Sequence, residues 1–280
     1  MVTIYFGDCL DIMKMLPNNV AHMSFNDVPY GKTACKWDTV IPFGPMWLGV
    51  ERIVKDNGAN IFTGTEPFSS ALRMSNIKNY KYDWIWQKAQ GTMPMQAPFK
   101  PITIHESISI FSLKASTYSK KGCMVYNPQK TKGIPYKANQ IKRGNIPFHS
   151  DPSGDHFSDN QGDRYPTTIK SFKKDDLKIH ATQKPVELVE YMIKTYSNEG
   201  DTILDITAGS GTTGVASINL KRDCILIEKL PLWFNVSCMR LKGINNKTIK
   251  MYIASMKEEY GKEADFLAPR LFDKVVVINA

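Results

Sequence analysis

The segment Thr202-Ile-Leu-Asp-Ile-Thr-Ala-Gly-Ser-Gly-Thr-Thr-Gly214 constrains the fold more than any other stretch of the chain. It has the pattern of a strand, a tight glycine turn and the start of a helix. Gly209 and Gly211 carry no Cβ, so the backbone there can approach a ligand closely. A helix opening near Thr212 turns its free N–H groups toward whatever lies in the turn. The next apolar run, Cys224–Glu228, ends on an acid 19 positions after Gly209. An acid at that place commonly accepts hydrogen bonds from ribose hydroxyls. A tight structural turn alone would account for the glycines but not for the whole strand–turn–helix–strand–acid series. The series therefore predicts a nucleoside site at the carboxyl edge of an α/β sheet.

Two nucleoside classes satisfy it. Gly209-x-Gly211-x-x-Gly214 matches the dinucleotide fingerprint, which would make the chain a nicotinamide-dependent oxidoreductase. S-adenosylmethionine fits as well, having a ribose and an adenine but no pyrophosphate. Its ammonium group needs an acid near the turn, and Asp205 lies four residues before Gly209.

The rest of the chain supports an α/β reading. Strands are predicted at Thr3–Phe6, Ala21–Phe25, Ala59–Thr63, Asp83–Trp86, Ser107–Phe111, Thr202–Ile206 and Cys224–Glu228. Helices are predicted at Phe43–Lys55, Pro67–Ser75, Val186–Tyr196, Thr212–Leu220 and Pro231–Leu241. Such alternation builds a mostly parallel sheet with helices on both faces, the Rossmann-like class. Val186, Val189, Ile193 and Tyr196 share one helical face, and Pro185 suits the first turn. With 280 residues, 42% of them hydrophobic, the chain can bury a substantial core. It contains no apolar run of about 20 residues, as a membrane-spanning helix requires, and its start lacks a secretory pattern. The five cysteines are scattered, with no Cys-x-x-Cys pair. An odd, dispersed set suits reduced thiols, so a cytoplasmic location (host cytoplasm if phage-encoded) and no metal site are expected.

One region departs from this pattern. Residues 114–180 are rich in Gly, Pro, Asn, Ser and Lys, and show no sustained helical or strand period. Thirteen bases and six acids fall between Lys114 and Lys178, a local excess of +7 in a chain of net charge +9. Tyr118, Tyr126, Tyr136, Phe148, Phe157, Tyr165 and Phe172 are interleaved with them. A solvated lysine-rich face is the bland explanation. A concentrated basic field with aromatics also attracts nucleic acid. The expected organisation is therefore a core of residues 1–113 and 181–280, interrupted by an irregular basic insert, 114–180. Lys120, Lys121, Lys130, Lys132, Lys137, Lys142 and Arg143 are its candidate DNA contacts.

A second motif lies early in the chain. Met23-Ser-Phe-Asn-Asp-Val-Pro-Tyr-Gly31 ends a predicted strand with an acid, a rigid proline and an aromatic. Alone these residues suit an ordinary loop; beside a nucleoside turn they suit chemistry on an exocyclic amine. Such an amine is a poor nucleophile because its lone pair is delocalised into the ring. The Asp27 carboxylate and a nearby backbone carbonyl, accepting its two hydrogens, would favour a pyramidal nitrogen with an available lone pair. Tyr30 could stack on an extruded base.

The two motifs, in this order, resemble the beta-class amino-methyltransferases of DNA, in particular phage and prophage members. That family places an Asp-Pro-Pro-Tyr or Asp-Leu-Pro-Tyr motif early, the glycine motif late, and a target-recognition region between them. Gly7-Asp8-Cys9-Leu10, Tyr30-Gly31-Lys32-Thr33-Ala34-Cys35-Lys36-Trp37-Asp38, Glu66-Pro67-Phe68 and Thr182-Gln183-Lys184-Pro185-Val186-Glu187-Leu188 are also similar to family segments. The resemblance covers the chain apart from the insert. It implies transfer of a methyl group from S-adenosylmethionine to N6 of adenine in a specific duplex DNA sequence, as in restriction–modification. It implies Asp27, Val28, Pro29 and Tyr30 as the catalytic motif. It further implies Asp8, Thr182, Gln183, Lys184, Asp205, Ala208, Gly209, Gly211, Thr212 and Glu228 at the cofactor, with the 182–185 segment near the donor's methionine end. Double-stranded DNA is the implied partner, with a second copy of the chain a further candidate.

Asp rather than Ser at position 27 favours adenine; transfer to N4 of cytosine is the nearest alternative, and a DNA-binding member with impaired catalysis is another. Val28 stands where the family has Pro or Leu, and Thr207 where many members have Phe; Asn26 is also unusual. Trp84 and Trp86 share a strand face and suit core packing better than base contact. Lys88 and His105-Glu106 resemble segments near the target pocket, but suit a surface equally well.

Overall fold

The structure, a computed structural model, describes residues 1–92, 94–140, 156–173, 175, 179–180 and 182–279. Its strands in chain order are β1 Val2–Phe6, β2 Met23–Asn26, β3 Asn60–Gly64, β4 Tyr80–Thr92, β5 Thr103–Phe111, β6 Thr131–Lys132 and β7 Tyr136–Gln140. They continue with β8 His156–Asn160, β9 Asp163–Arg164, β10 Ile169–Ser171, β11 Thr202–Asp205, β12 Asp223–Glu228 and β13 Val275–Ile278. The main helices are α1 Cys9–Met15, α2 Phe43–Ile53, α3 Phe68–Ser75, α4 Val186–Tyr196, α5 Thr212–Asn219, α6 Pro231–Leu241 and α7 Asn246–Tyr260.

The chain divides into two units, residues 1–127 with 168–280, and residues 128–167. The larger holds a nine-stranded sheet in the order β10-β4-β5-β3-β2-β11-β12-β1-β13. Five of its pairings are parallel; β1–β13, β3–β5 and β4–β5 are antiparallel. Strand residues alternate between two apolar layers, as a sheet covered on both faces requires. Ile4, Phe25, Ile61, Ile203 and Leu226 pack with α4, α5 and α6 on one face. Phe62, Leu204 and Ile227 pack with α1, α2 and α3 on the other. This is the mostly parallel, Rossmann-like arrangement that the alternating pattern predicts.

Each expected strand and helix has its counterpart. The largest difference is β4, 13 residues long where four are expected, because it runs far along its antiparallel partner β5. Of the core elements named above, four are not expected from the sequence. Helix α1 is one short segment started by Asp8, whose carboxylate caps Leu10 N–H at 2.9 Å. Helix α7 is largely polar and buries only Ile249 and Ile253. Strands β10 and β13 are edge strands of three and four residues.

The insert boundaries need correction. Residues 114–127 and 168–180 belong to the larger unit, not to an insert. Met124 and Phe172 are buried in its core, and β10 pairs parallel with β4. Single apolar anchors hold these flanks, too sparse to leave a period in the sequence. The separate unit is 128–167, and among its described residues it is not irregular. Strand β6 pairs antiparallel with β9, and β7 with β8. Such short strands, with few apolar residues, give no sustained alternation.

Among the described residues no helix is long and apolar enough to cross a membrane, and no three His, Cys, Asp or Glu form a metal-holding group. All five cysteines are unpaired.

Trp84 and Trp86 are both core residues. The Trp84 indole N–H donates to the Tyr196 hydroxyl at 2.6 Å, and Tyr82 and Tyr196 hydroxyls lie 3.0 Å apart. Tyr196 is fully buried at the end of α4, so its hydroxyl satisfies a donor that no water reaches. Tyr196→Phe should therefore orphan the Trp84 N–H and lower stability by about 1–3 kcal/mol. Urea unfolding checks this; Tyr82→Phe, which leaves that indole bond intact, should lower the midpoint less.

Candidate active site

At the centre of the sheet β2 and β11 lie side by side and parallel. From β2 the chain crosses through α2 to β3; from β11 it crosses through α5 to β12, in the opposite direction. The carboxyl ends of strands flanking such a reversal form a natural crevice. Asn26, fully buried, fixes the two strand ends together. Its amide accepts from Ile206 N–H at 3.3 Å and donates to Ile61 C=O at 3.2 Å and Ser24 Oγ at 2.9 Å. The unusual Asn26 thus has a structural role. A cavity of about 320 Å³ occupies the crevice, and Asp8, Asp27, Tyr30, Lys184, Asp205 and Glu228 all line it.

One corner is built on Asp27, the residue after β2. Its Oδ1 accepts from Thr63 Oγ1 at 2.5 Å and Tyr30 OH at 2.6 Å, and pairs with Lys184 Nζ at 2.7 Å. Burial alone would raise the carboxyl pKa; the Lys184 cation, with the hydroxyls of Thr63 and Tyr30, outweighs it and holds Asp27 below the usual carboxylate value. Burial and the neighbouring carboxylate keep the Tyr30 phenol protonated far above its ordinary range. The Tyr30 ring stacks on Phe68 with centroids 5.0 Å apart. The loop after Tyr30 is organised by Asp38, which accepts from Gly31, Lys32 and Thr33 N–H at 2.9, 2.9 and 2.7 Å. Val28 is buried among the residues of α1 and α2, an apolar place that does not require Pro or Leu.

The opposite corner is the glycine turn. Gly209 and Gly211 adopt φ of +54° and +78°, the left-handed region that favours glycine. Ser237 donates to Gly209 C=O at 2.6 Å, and Arg240 donates to Ser210 C=O at 3.1 Å and Thr212 Oγ1 at 3.0 Å, so α6 braces the turn. Glu228 accepts from Gly209 N–H at 2.7 Å and Leu230 N–H at 2.8 Å. Asp205 accepts from Thr213 Oγ1 at 2.6 Å and Thr207 N–H at 2.9 Å. No cation is paired with either among the described residues, and burial, despite these hydrogen bonds, pushes both carboxyls up to about 7. Ala208 is buried with its N–H on Ile227 C=O at 2.9 Å. The Thr207 hydroxyl is buried on the cavity wall with no hydrogen-bond partner among the described residues.

The segment 182–184 joins the two corners. Gln183 accepts from Ser210 Oγ of the turn at 3.4 Å, and donates to Asp175 at 2.7 Å. Thr182 Oγ1 lies 2.8 Å from His180 Nδ1, and the His180 ring meets Trp233 edge-on at 4.1 Å. Lys184, grouped by sequence with the cofactor residues, instead delivers its ammonium to Asp27. Lys88 and Glu106 are not surface residues: they form a buried ion pair, and Glu106 Oε2 lies 3.2 Å from Lys184 Nζ. Thr63 and Lys184 as partners of Asp27, and Glu106 as the second partner of Lys184, are thus beyond the sequence reading. Only the resemblance at Lys88 and Glu106 pointed toward them.

The candidate DNA contacts are more dispersed. Lys120 and Lys121 are exposed in the larger unit. In the smaller unit Lys132 and Lys130 lie 2.5 and 3.8 Å from Asp163, and Lys137 lies 3.4 Å from Asp159. Lys130 and Arg164 also lie over the rings of Tyr165 and Tyr136. Lys142 and Arg143 fall outside the described residues.

A half-buried anionic carboxylate and a glycine turn flanked by two buried carboxyls share one cavity, an arrangement that suits transfer of a group between two bound partners. Comparison with known proteins agrees. The model of the N6/N4 methyltransferase family, described as DNA methylase, matches residues 36–235. The type II methyltransferase M1.MboII of Moraxella bovis is 27% identical over 243 residues, covering 79% of this chain and 89% of that protein. M.HinfI of Haemophilus influenzae is 25% identical over 309 residues, covering 97% and 79%. Among solved structures, the M1.HpyAVI–SAM complex superposes with a TM-score of 0.57 at 22% identity, covering 86% of this chain and all of that one. The cytosine-N4-specific PvuII DNA methyltransferase gives 0.62 at 14% identity, covering 89% and 90%. These two structures share the fold.

Proposed function

Because this chain belongs to the N6/N4 DNA methylase family, we propose that it transfers a methyl group from S-adenosylmethionine to N6 of adenine in duplex DNA. The observation that carries this reading is the ionised Asp27 at the end of β2, in the same cavity as the glycine turn. The cavity fits the donor. Asp205 and Glu228 are buried carboxylates without a paired cation among the described residues, and the Thr207 hydroxyl has no partner. A ligand with an ammonium group and ribose hydroxyls would satisfy all three.

When bound, the donor supplies a methyl group on a cationic sulfur, which leaves as a neutral thioether. The protein's part is positioning and charge. Asp27 and the Val28 carbonyl would accept the two hydrogens of the target amine, concentrating its lone pair on nitrogen. Pro29 stiffens this stretch, and Tyr30 offers a ring for the extruded base. As the new N–C bond forms, the nitrogen gives up one proton to solvent. Glu228 would take the ribose hydroxyls, and Asp8, Thr182, Gln183, Asp205, Ala208, Gly209, Gly211 and Thr212 complete the donor site. The unit of residues 128–167, with its aromatic and basic side chains, would position the DNA, with Lys120 and Lys121 adding phosphate contacts.

Incubation with labelled S-adenosylmethionine and unmethylated genomic DNA, followed by nucleoside mass analysis, should yield N6-methyladenine. N4-methylcytosine would move the target to the base that the PvuII enzyme modifies. Asp27→Ala should lower transfer at least about a hundredfold while leaving donor binding in place; a variant that still methylates would refute the assignment.

Donor affinity should depend on pH. The folded carboxyls of Asp205 and Glu228 lie above their unfolded values, so the free protein holds protons that the donor must displace. Apparent affinity should therefore rise as pH is raised toward about 7, by up to about tenfold per pH unit for each carboxyl. Calorimetry in buffers of different ionisation enthalpy should show proton release on binding; a flat profile without release would contradict it.

Replacing residues 128–167 with a short Gly-Ser linker should abolish DNA methylation and DNA retention in gel shifts. Donor affinity should persist, and its loss would argue against a separate recognition unit.

A further inference from the structure

The Asp27 carboxylate is held from one side only. Thr63, Tyr30 and Lys184 all converge on Oδ1, and Oδ2 has no partner among the described residues. The Lys184 ammonium reaches in turn to Glu106 on β5, which pairs with Lys88 on β4. The side chains of Lys184, Glu106 and Lys88 are 7%, 11% and 9% exposed. The four charges alternate in sign from Asp27 to Lys88, so each buried ion has an opposite neighbour. Removing Lys184 or Glu106 would leave Asp27 or Lys88, respectively, without its ionic partner.

We propose that Lys184 is a positioning residue for methyl transfer. Its ammonium, braced by the Lys88–Glu106 pair, keeps Asp27 ionised and fixes it through Oδ1, leaving Oδ2 to accept a hydrogen of the target amine. This rests on the reading of Asp27 given above. The comparison that supports it lies within the same cavity. Asp205 and Glu228 are also buried and also hydrogen-bonded, yet without a paired cation they are pushed up to about 7. Asp27 lies in the same cavity, half-buried with 28% of its side chain exposed, and is lowered instead. The groups acting on it are Lys184, Thr63 and Tyr30, with Asp205 and His180 at longer range. Tyr30 stays protonated, and burial lowers His180 to about 4, so neither carries charge near neutrality. Lys184 supplies the cation. A protonated Asp27 would present a hydroxyl donor to an amine that also has to donate.

The test is single-turnover transfer by the full chain to unmethylated genomic DNA at saturating donor, from about pH 5.5 to 9. Wild type should be flat on the acid side. Lys184→Met leaves only the Thr63 and Tyr30 hydroxyls to oppose the desolvation of Asp27, so its rate should fall by up to about tenfold per pH unit toward the acid end and recover toward alkaline pH. Lys184→Arg keeps the cation and should restore the flat profile. Glu106→Gln should slow transfer several-fold at every pH without an acid limb. Donor affinity, measured alongside, should stay near that of wild type in all three variants at alkaline pH.

A Lys184→Met profile that is slow but parallel to wild type would overturn the proposal while leaving Asp27 in place. An Asp27→Ala protein that still methylates would overturn both. Should Lys184→Met fail to fold by circular dichroism, Lys184→Gln takes its place against Lys184→Arg. An acid limb in the Arg variant, or none in the Gln variant, would then overturn it.

Discussion

Three carboxylates, two buried and one half-buried, stand at the carboxyl ends of three neighbouring strands, and how each is neutralised orders the rest of the site. Asp27 follows β2, Asp205 ends β11 and Glu228 ends β12. A carboxylate out of water must be paired, hydrogen-bonded or protonated. Asp27 is paired with a buried lysine, so it remains an acceptor. Asp205 and Glu228 receive only neutral donors, two each, which leaves them poised near 7. That asymmetry separates a permanent anion, suited to the substrate amine, from two acids that a cationic, hydroxyl-bearing ligand can draw into ionisation. One sheet thus supplies two electrostatic environments a single strand apart.

Parallel pairing alone would not hold these ends in register. The buried ladder of Asn60, Ser24 and Asn26 does so, with Asn26 reaching the backbone of both flanking strands. Buried amides that are fully engaged in this way specify one alignment, because a slipped register would strand each of them. Asn26 looks anomalous beside Asp27 in the sequence. In the fold it sets the spacing between Asp27 and the turn after β11.

What the sequence conveyed was mainly local. Gly209 and Gly211 announced their turn because left-handed backbone selects glycine, and the helix Val186–Tyr196 announced itself by its apolar period. Strand β4 was legible only in its buried centre. Its outer part is ordered by the antiparallel ladder with β5 and carries no period of its own. The basic insert was visible as composition, but its edges were not. Met124 and Phe172 are single anchors, and a single anchor has no periodicity. The lysines expected on DNA are partly matched by Asp159 and Asp163, acids that lie apart in sequence and meet through strand pairing.

Lys184 shows the same limit at the site itself. The resemblance grouped it with Gln183 at the cofactor, and both residues do line the cavity. Side chains three and two residues before a helix can nevertheless diverge to different partners. Gln183 meets the turn at Ser210, whereas Lys184 meets Asp27, more than 150 positions away along the chain. Pro185 then starts α4, whose Leu188, Val189 and Met192 are fully buried against the sheet. The helix packing therefore fixes where the lysine emerges. Moving α4 against the sheet would shift the cation relative to Asp27, so the core of the fold and the charge state of that carboxyl are mechanically linked.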